Sequence, residues 1–244
     1  MLLGLSVMTA LSAFAQKPVY LDTGKPIEER VKDALNRLTL EEKVKMIHAQ
    51  SKFSSAGVPR LGIPEVWATD GPHGICPEVL WDEWDQAGWT NDSCIAYPAL
   101  TCLAATWNPE MSHLYGKSIG EEARYRKKDI LLGPGVNIYR TPLNGRNFEY
   151  MGEDPYLTSR MATGYIKGVQ GQGVMATIKH FIANNSDYDR DHISSDIDER
   201  TLNEIYFPSF RAAVQEAEVG AVMSSYNLLN GIYTTEHPWL LKDV

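Results

Sequence analysis

Arg140 and Arg146, the adjacent Lys179 and His180, and carboxylates such as Asp70 stand near expected strand ends, and their types suit a hydroxyl-rich ligand. A carboxylate accepts hydrogen bonds from two neighbouring hydroxyls, and a guanidinium or ammonium donates several in return, so charge-assisted bonds fix orientation as well as affinity. Two dense polar stretches, Gly133 to Pro155 and Lys179 to Asn185, each directly follow an apolar run that reads as a buried strand. Polar clusters at strand ends are the pattern of a binding site.

Each residue also has a plainer reading. Asp70 opens the run Asp70-Gly71-Pro72-His73-Gly74, where an Asx turn that only ends a strand would look the same. Arg146 either forks onto ligand hydroxyls or holds a carboxylate in place, and Arg140 is expected to be structural, paired with Glu149 or Glu153. Asp154, before Pro155, reads as a helix cap. Lys179 and His180 are adjacent and would point to opposite faces of a plain strand, but a turn at the strand end brings both to the mouth. Their apolar neighbours make an unpaired ammonium costly to bury, which favours a functional role. The stretch Asp187 to His192 lacks the glycine and final glutamate of an EF-hand loop and reads as a solvated acidic loop, with Arg190 able to fold back over the site. Tyr226 either hydrogen-bonds a catalytic carboxylate or fills the core.

Other signals are weaker. Gly133-Pro134-Gly135 has no third glycine and opens no helix, so a dinucleotide loop is a poor match. Asn91 and Asn184 lie in glycosylation sequons by pattern only. Trp81, Trp84 and Trp89 either stack on sugar rings or pack onto the base of their own loop. No Cys or His spacing matches a zinc site, and no metal or organic cofactor is expected. Cys76 and Cys94 could close a loop in an oxidising compartment, leaving Cys102 unpaired.

The elements that carry these residues alternate. Ile27, Val31, Leu35 and Leu38 recur at helical spacing, and Thr39 with Glu42 forms a capping box for a second helix. A strand is expected at 65–69, a helix from Pro109 to about Lys127 capped by Asn108, and a strand over 130–136. A helix follows after Asp154-Pro155, then a strand over 174–181, a helix over 199–215 capped by Asp198, and a strand over 221–225. Further short strands are conceivable near 99–105 or 57–61. Strands alternating with helices of this length predict an α/β fold with a parallel sheet. Polar clusters after each strand favour a (β/α)8 barrel over an open doubly wound sheet.

The chain has 244 residues and a formal charge of -8, with no run of Lys and Arg longer than three residues, which argues against nucleic acid and anionic membrane surfaces as partners. Residues 1–15 form an uncharged apolar stretch ending in Ala13-Phe14-Ala15, read as a signal peptide, so export to the periplasm or the extracellular space is expected, without membrane insertion once the leader is removed.

The order Asp70-Gly-Pro-His-Gly, Gly145-Arg146-Asn147-Phe148-Glu149 with Gly152-Glu153-Asp154-Pro155, Lys179-His180-Phe181 and Met223-Ser-Ser-Tyr226-Asn227 closely resembles the N-terminal barrel of glycoside hydrolase family 3. The resemblance implies an incomplete TIM-type barrel over residues 16–244, lacking its last strands and the following domain. It implies that Asp70, Arg146, Lys179, His180 and Arg190 hold the hydroxyls of the sugar to be cleaved, with Tyr226 beside the nucleophile. That nucleophile sits in the family in a Ser-Asp-Trp type motif further along, so it and the acid/base are expected beyond Val244. The run Lys179 to Asn185 departs from the KHFPGHG pattern of members that cleave N-acetylglucosamine linkages. The implied activity is a retaining exo-β-glycosidase that releases terminal non-reducing β-D-glucosyl residues from oligosaccharides or glycosides, this stretch supplying the sugar-binding half. A β-xylosidase of the same family and a non-catalytic sugar-binding protein are the alternatives.

Overall fold

The computed structural model describes residues 17–77, 85, 88 and 93–244. The chain divides into two units, Met1–His48 and Ala49–Val244. In the first, α1 (Ile27–Arg37) carries Ile27, Val31 and Leu35 on one stripe, and α2 (Leu40–Met46) opens with the expected capping box. The Thr39 hydroxyl accepts from the Glu42 amide at 3.2 Å, and the Glu42 carboxylate accepts from the Thr39 amide at 2.8 Å. Such a cap stabilises a helix by about 1 kcal/mol.

In the second unit, β1 (Ala49–Ser51) and β2 (Ser54–Ser55) form an antiparallel pair that leads to β3 (Val66–Asp70). α3 (Leu100–Ala104) and α4 (Pro109–Tyr125) precede β4 (Ile130–Leu132), and α5 (Pro155–Gln170) precedes β5 (Met175–Phe181). After β6 (Ser194–Ser195), α6 (Glu199–Thr201), a π turn over Leu202–Tyr206 and α7 (Phe207–Gln215) comes β7 (Ala221–Ser224). β8 (Leu228–Leu229) and β9 (Ile232–Tyr233) join β6 in a small separate sheet, and α8 (Pro238–Lys242) follows. In the main sheet the order is β1-β2-β3-β4-β5-β7, and β3, β4, β5 and β7 run parallel. This is an α/β fold with half of a (β/α)8 barrel.

The core lies between the sheet and its helices, where Leu131, Ile178, Met161, Ile166 and Ile119 are fully buried. Each such side chain contributes about 1.5–3 kcal/mol on leaving water. Helices α4 and α5 approach backbone to backbone: a Cβ on Gly168 would lie 2.2 Å from the His113 carbonyl, and one on Gly116 the same distance from that of Tyr165.

Several expectations need correction. Residues 99–105 form α3 instead of a strand, with Leu100, Leu103 and Ala104 buried on one helical face. Residues 57–61 contain a 3-10 turn, and the short extra strands are β1 and β2, polar segments without the alternation that marks a strand. β4 stops at Leu132 because Pro134 has no amide to donate. The helix expected over 199–215 is interrupted by the π turn just ahead of Pro208, which leaves a helical carbonyl without its usual partner. Cys76, Cys94 and Cys102 are all free.

Candidate functional site

Because β3, β4, β5 and β7 are parallel, their carboxyl ends share one edge of the sheet, and the predicted residues collect there. Asp70 ends β3, Arg146 lies in the loop after β4, Lys179 and His180 lie near the end of β5, Arg190 follows β5, and Tyr226 follows β7. The chain bulges between Lys179 and Phe181, where pairing with β7 shifts register, so the strand does not keep its plain alternation.

Lys179 sits at the centre, only 2% exposed. Its ammonium donates to the Gly71 carbonyl at 3.1 Å and pairs with Glu149 Oε2 at 3.2 Å and Asp70 Oδ1 at 3.6 Å. Glu149 is itself 4% exposed, and its Oε1 accepts from Arg146 Nε. One buried carboxylate therefore serves two cations, which offsets part of the cost of desolvating all three. Asp70 also accepts from the Gly71 amide at 3.0 Å, so it both ends its strand and faces Lys179 from a half-exposed position.

A second group surrounds Tyr226. The Arg190 guanidinium stands 4.3 Å from its ring centre and that of Arg146 5.5 Å, both within cation–π range. Asp187 holds Arg190 at 3.1 Å, so the acidic loop does fold this arginine back. The His180 ring is 5.6 Å from the same tyrosine.

His180 is fully enclosed. Its amide donates to Asn137 Oδ1 at 2.8 Å, and Asn137 Nδ2 donates to its carbonyl at 3.0 Å. Its Nδ1 is 3.0 Å from the Tyr150 hydroxyl, which accepts from Asn184 Nδ2 at 2.8 Å. A hydroxyl that also donates its own proton to Nδ1 would leave the ring proton on Nε2. Nε2 has no protein partner. Burial, and then the charges of Arg146, Lys179 and Arg190, push the His180 pKa down to about 2, so the ring is neutral at working pH.

A cleft of about 420 Å³ opens beside this cluster, lined among others by Asp70, His73, Arg146, Phe148 and Glu149. Burial lowers the His73 pKa, and its ring meets Phe148 edge-on at 5.4 Å. The site thus offers an acceptor in Asp70, a neutral imidazole in His180 and cationic donors in Lys179 and Arg146. Both carboxylates face cations, which suits holding a polar ligand more than donating a proton.

All six predicted residues are brought together. Arg140 is not: Glu149 takes Arg146 and Lys179 instead, and Arg140 stacks over Tyr206 at 5.8 Å. Tyr226 packs on cations, with no carboxylate as its neighbour among the contacts described. Sequence reasoning missed Glu149, Tyr150, Asn137 and Asn184 as parts of the site. The glycines of Gly133-Pro134-Gly135 are explained by packing, since a Cβ on Gly135 would stand 2.4 Å from the Glu149 carbonyl. Asp154 accepts from the Tyr156 and Leu157 amides, as a cap. Trp81, Trp84, Trp89, Asn91 and the apolar leader lie outside the described residues. Among the described residues no group of His, Cys, Asp and Glu could hold a metal ion, and no helix is long and apolar enough to cross a membrane.

The sequence profile of the glycosyl hydrolase family 3 N terminal domain matches residues 30–244. The chain belongs to this family. It is 58% identical over 244 residues to the beta-glucosidase BoGH3A of Bacteroides ovatus, a match covering 98% of this chain and 33% of that protein. A beta-glucosidase of Rhizobium radiobacter is 47% identical over 88% of this chain and 25% of its own length. Among solved structures, beta-glucosidase 3B from Thermotoga neapolitana in complex with glucose superposes with a TM-score of 0.79 at 42% identity, over 88% of this chain and 32% of that one. The chain thus spans about a third or less of these relatives, and the family barrel is the context for the half-barrel seen here.

Proposed function

We propose that this chain is the sugar-binding part of a retaining exo-β-glucosidase that releases terminal non-reducing β-D-glucosyl residues. The observation that carries the reading is the cluster of Asp70, Lys179, Arg146 and the unpartnered His180 Nε2 at the carboxyl ends of parallel strands. Strong identity to two beta-glucosidases supports it. In the proposed role Asp70 accepts from sugar hydroxyls while Lys179, His180 and Arg146 donate to them, with Arg190 and Tyr226 closing the far side. Bonds to hydroxyls that strengthen at the oxocarbenium-like transition state lower its barrier. Retaining hydrolysis needs two carboxyl groups about 5–5.5 Å apart. In this proposal a longer protein supplies both in sequence after Val244, residues 16–244 form the first part of its barrel, and residues 1–15 direct export.

The test is hydrolysis of aryl β-D-glucosides by the purified complete protein, with aryl β-D-xylosides as the competing substrate. Preferential glucoside turnover with retained anomeric configuration supports the reading. Preference for xyloside moves it to that substrate, and no turnover on either overturns it. N-terminal sequencing of protein from the culture fluid or periplasm tests export, which expects cleavage after Ala15.

A further inference from the structure

The turn Asn147–Glu149 and the residue after it deliver two consecutive side chains, Glu149 and Tyr150, onto two consecutive residues of β5, Lys179 and His180. We propose that Glu149 and Tyr150 are positioning residues for the reaction. Glu149 sets the direction of the Lys179 ammonium and the Arg146 guanidinium, and Tyr150 sets the tautomer of His180. The inference rests on the glucosidase reading for its kinetic consequences, though not for its structural ones.

Glu149 lines the cleft with both oxygens committed to cations. Oε1 faces Arg146 and Oε2 faces Lys179. Its effect on a ligand must pass through its partners. Two cations confined at one site repel, and with Glu149 removed Lys179 would turn toward Asp70, the carboxylate that is free to meet hydroxyls. Glu149 thus keeps Asp70 available to the ligand. The turn can sit this deep because Gly135 has no Cβ to meet the Glu149 carbonyl.

Tyr150 is also fully buried, and burial pushes its phenol pKa up, so it stays protonated. Asn184 occupies its acceptor side, and its proton is directed to His180 Nδ1. The consequence is a fixed N–H on His180 Nε2, the one buried ring atom of that residue without a partner. Neutral imidazole held as a donor complements Asp70, an acceptor, at the same sheet edge.

The test uses the complete protein. Glu149→Gln, nearly isosteric, should lower kcat/KM on aryl glucoside by about 10²-fold, the scale of a 1 Å misplacement of reacting groups. Glu149→Asp, which restores charge on a shorter stem, should regain part of that loss. In a Lys179→Ala background the cost of Glu149→Gln should shrink at least tenfold. Glu149→Gln within threefold of wild type, or costs that multiply independently, would overturn the role of Glu149. So would loss of cooperative melting in both Glu149 variants, because it would mark a structural residue. Selective 15N-histidine spectra provide an arm that needs no turnover. Wild type should show His180 with its proton on Nε2, and Tyr150→Phe should change that pattern. An unchanged pattern overturns the role of Tyr150, whereas a wild-type protein without glucosidase activity overturns only the functional reading.

Discussion

Acidification from pH 7 to pH 5 should destabilise this protein partly through one residue, His180. In the folded state its pKa is pushed down to about 2, against 6.5 for the unperturbed ring. Between those values the unfolded chain binds a proton that the native chain does not, so stability falls as pH falls, beginning near 6.5. The limiting slope is about 1.4 kcal/mol per pH unit. Integrated from pH 7 to pH 5, the loss is about 2 kcal/mol, because the titration is only partly under way at the upper end. The assay is denaturant unfolding of wild type and His180→Gln at both pH values. Carboxylates elsewhere act alike in the two proteins, so the difference between the two pH effects isolates His180. Wild type should lose about 2 kcal/mol more than the variant. Equal losses in both would refute the argument that His180 is buried neutral.

Two further predictions concern the site and the core. Lys179→Ala should reduce kcat/KM far more than Arg190→Ala, since Lys179 is almost wholly buried among ligating groups while Arg190 lies partly exposed on a loop; steady-state kinetics on aryl glucoside decide this. Lys179→Ala should also cost less stability than the about 3–5 kcal/mol of an orphaned buried ion, because Arg146 remains on Glu149. Gly168→Ala should destabilise by about 1–3 kcal/mol, the cost of forcing extra volume between α4 and α5, and a melting temperature equal to wild type would contradict that packing.

What the sequence made legible was what local chemistry controls. The caps at Thr39, Asn108, Asp154 and Asp198 each bond to an amide two or three residues on, so their spacing alone announces them. The apolar runs of β3 and β5 and the polar residues after them were readable for the same reason. What stayed hidden depends on long-range pairing. Arg146 invited attention as a lone cation between small polar residues, but nothing local says that Glu149 takes both it and a lysine thirty residues further along. Arg140 was paired wrongly because proximity in sequence was the guide available. Tyr150 carries no local signal, because its role depends on Asn184 and His180 on either side of its hydroxyl. β1 and β2 escaped notice because serine-rich segments become strands only through the neighbour that pairs with them.

In the proposed role Asp70, Lys179, His180 and Arg146 together hold a glucosyl unit. A crystal structure of the complete protein with glucose tests it most directly. The sugar should lie at the carboxyl ends of β3 and β5, with Asp70 accepting from its hydroxyls and Lys179 Nζ and His180 Nε2 donating to them within ordinary hydrogen-bond distance of about 2.7–3.2 Å. Glucose bound elsewhere, or bound at this cleft with Lys179 still committed wholly to Glu149 and the Gly71 carbonyl and with His180 Nε2 unpartnered, would contradict it.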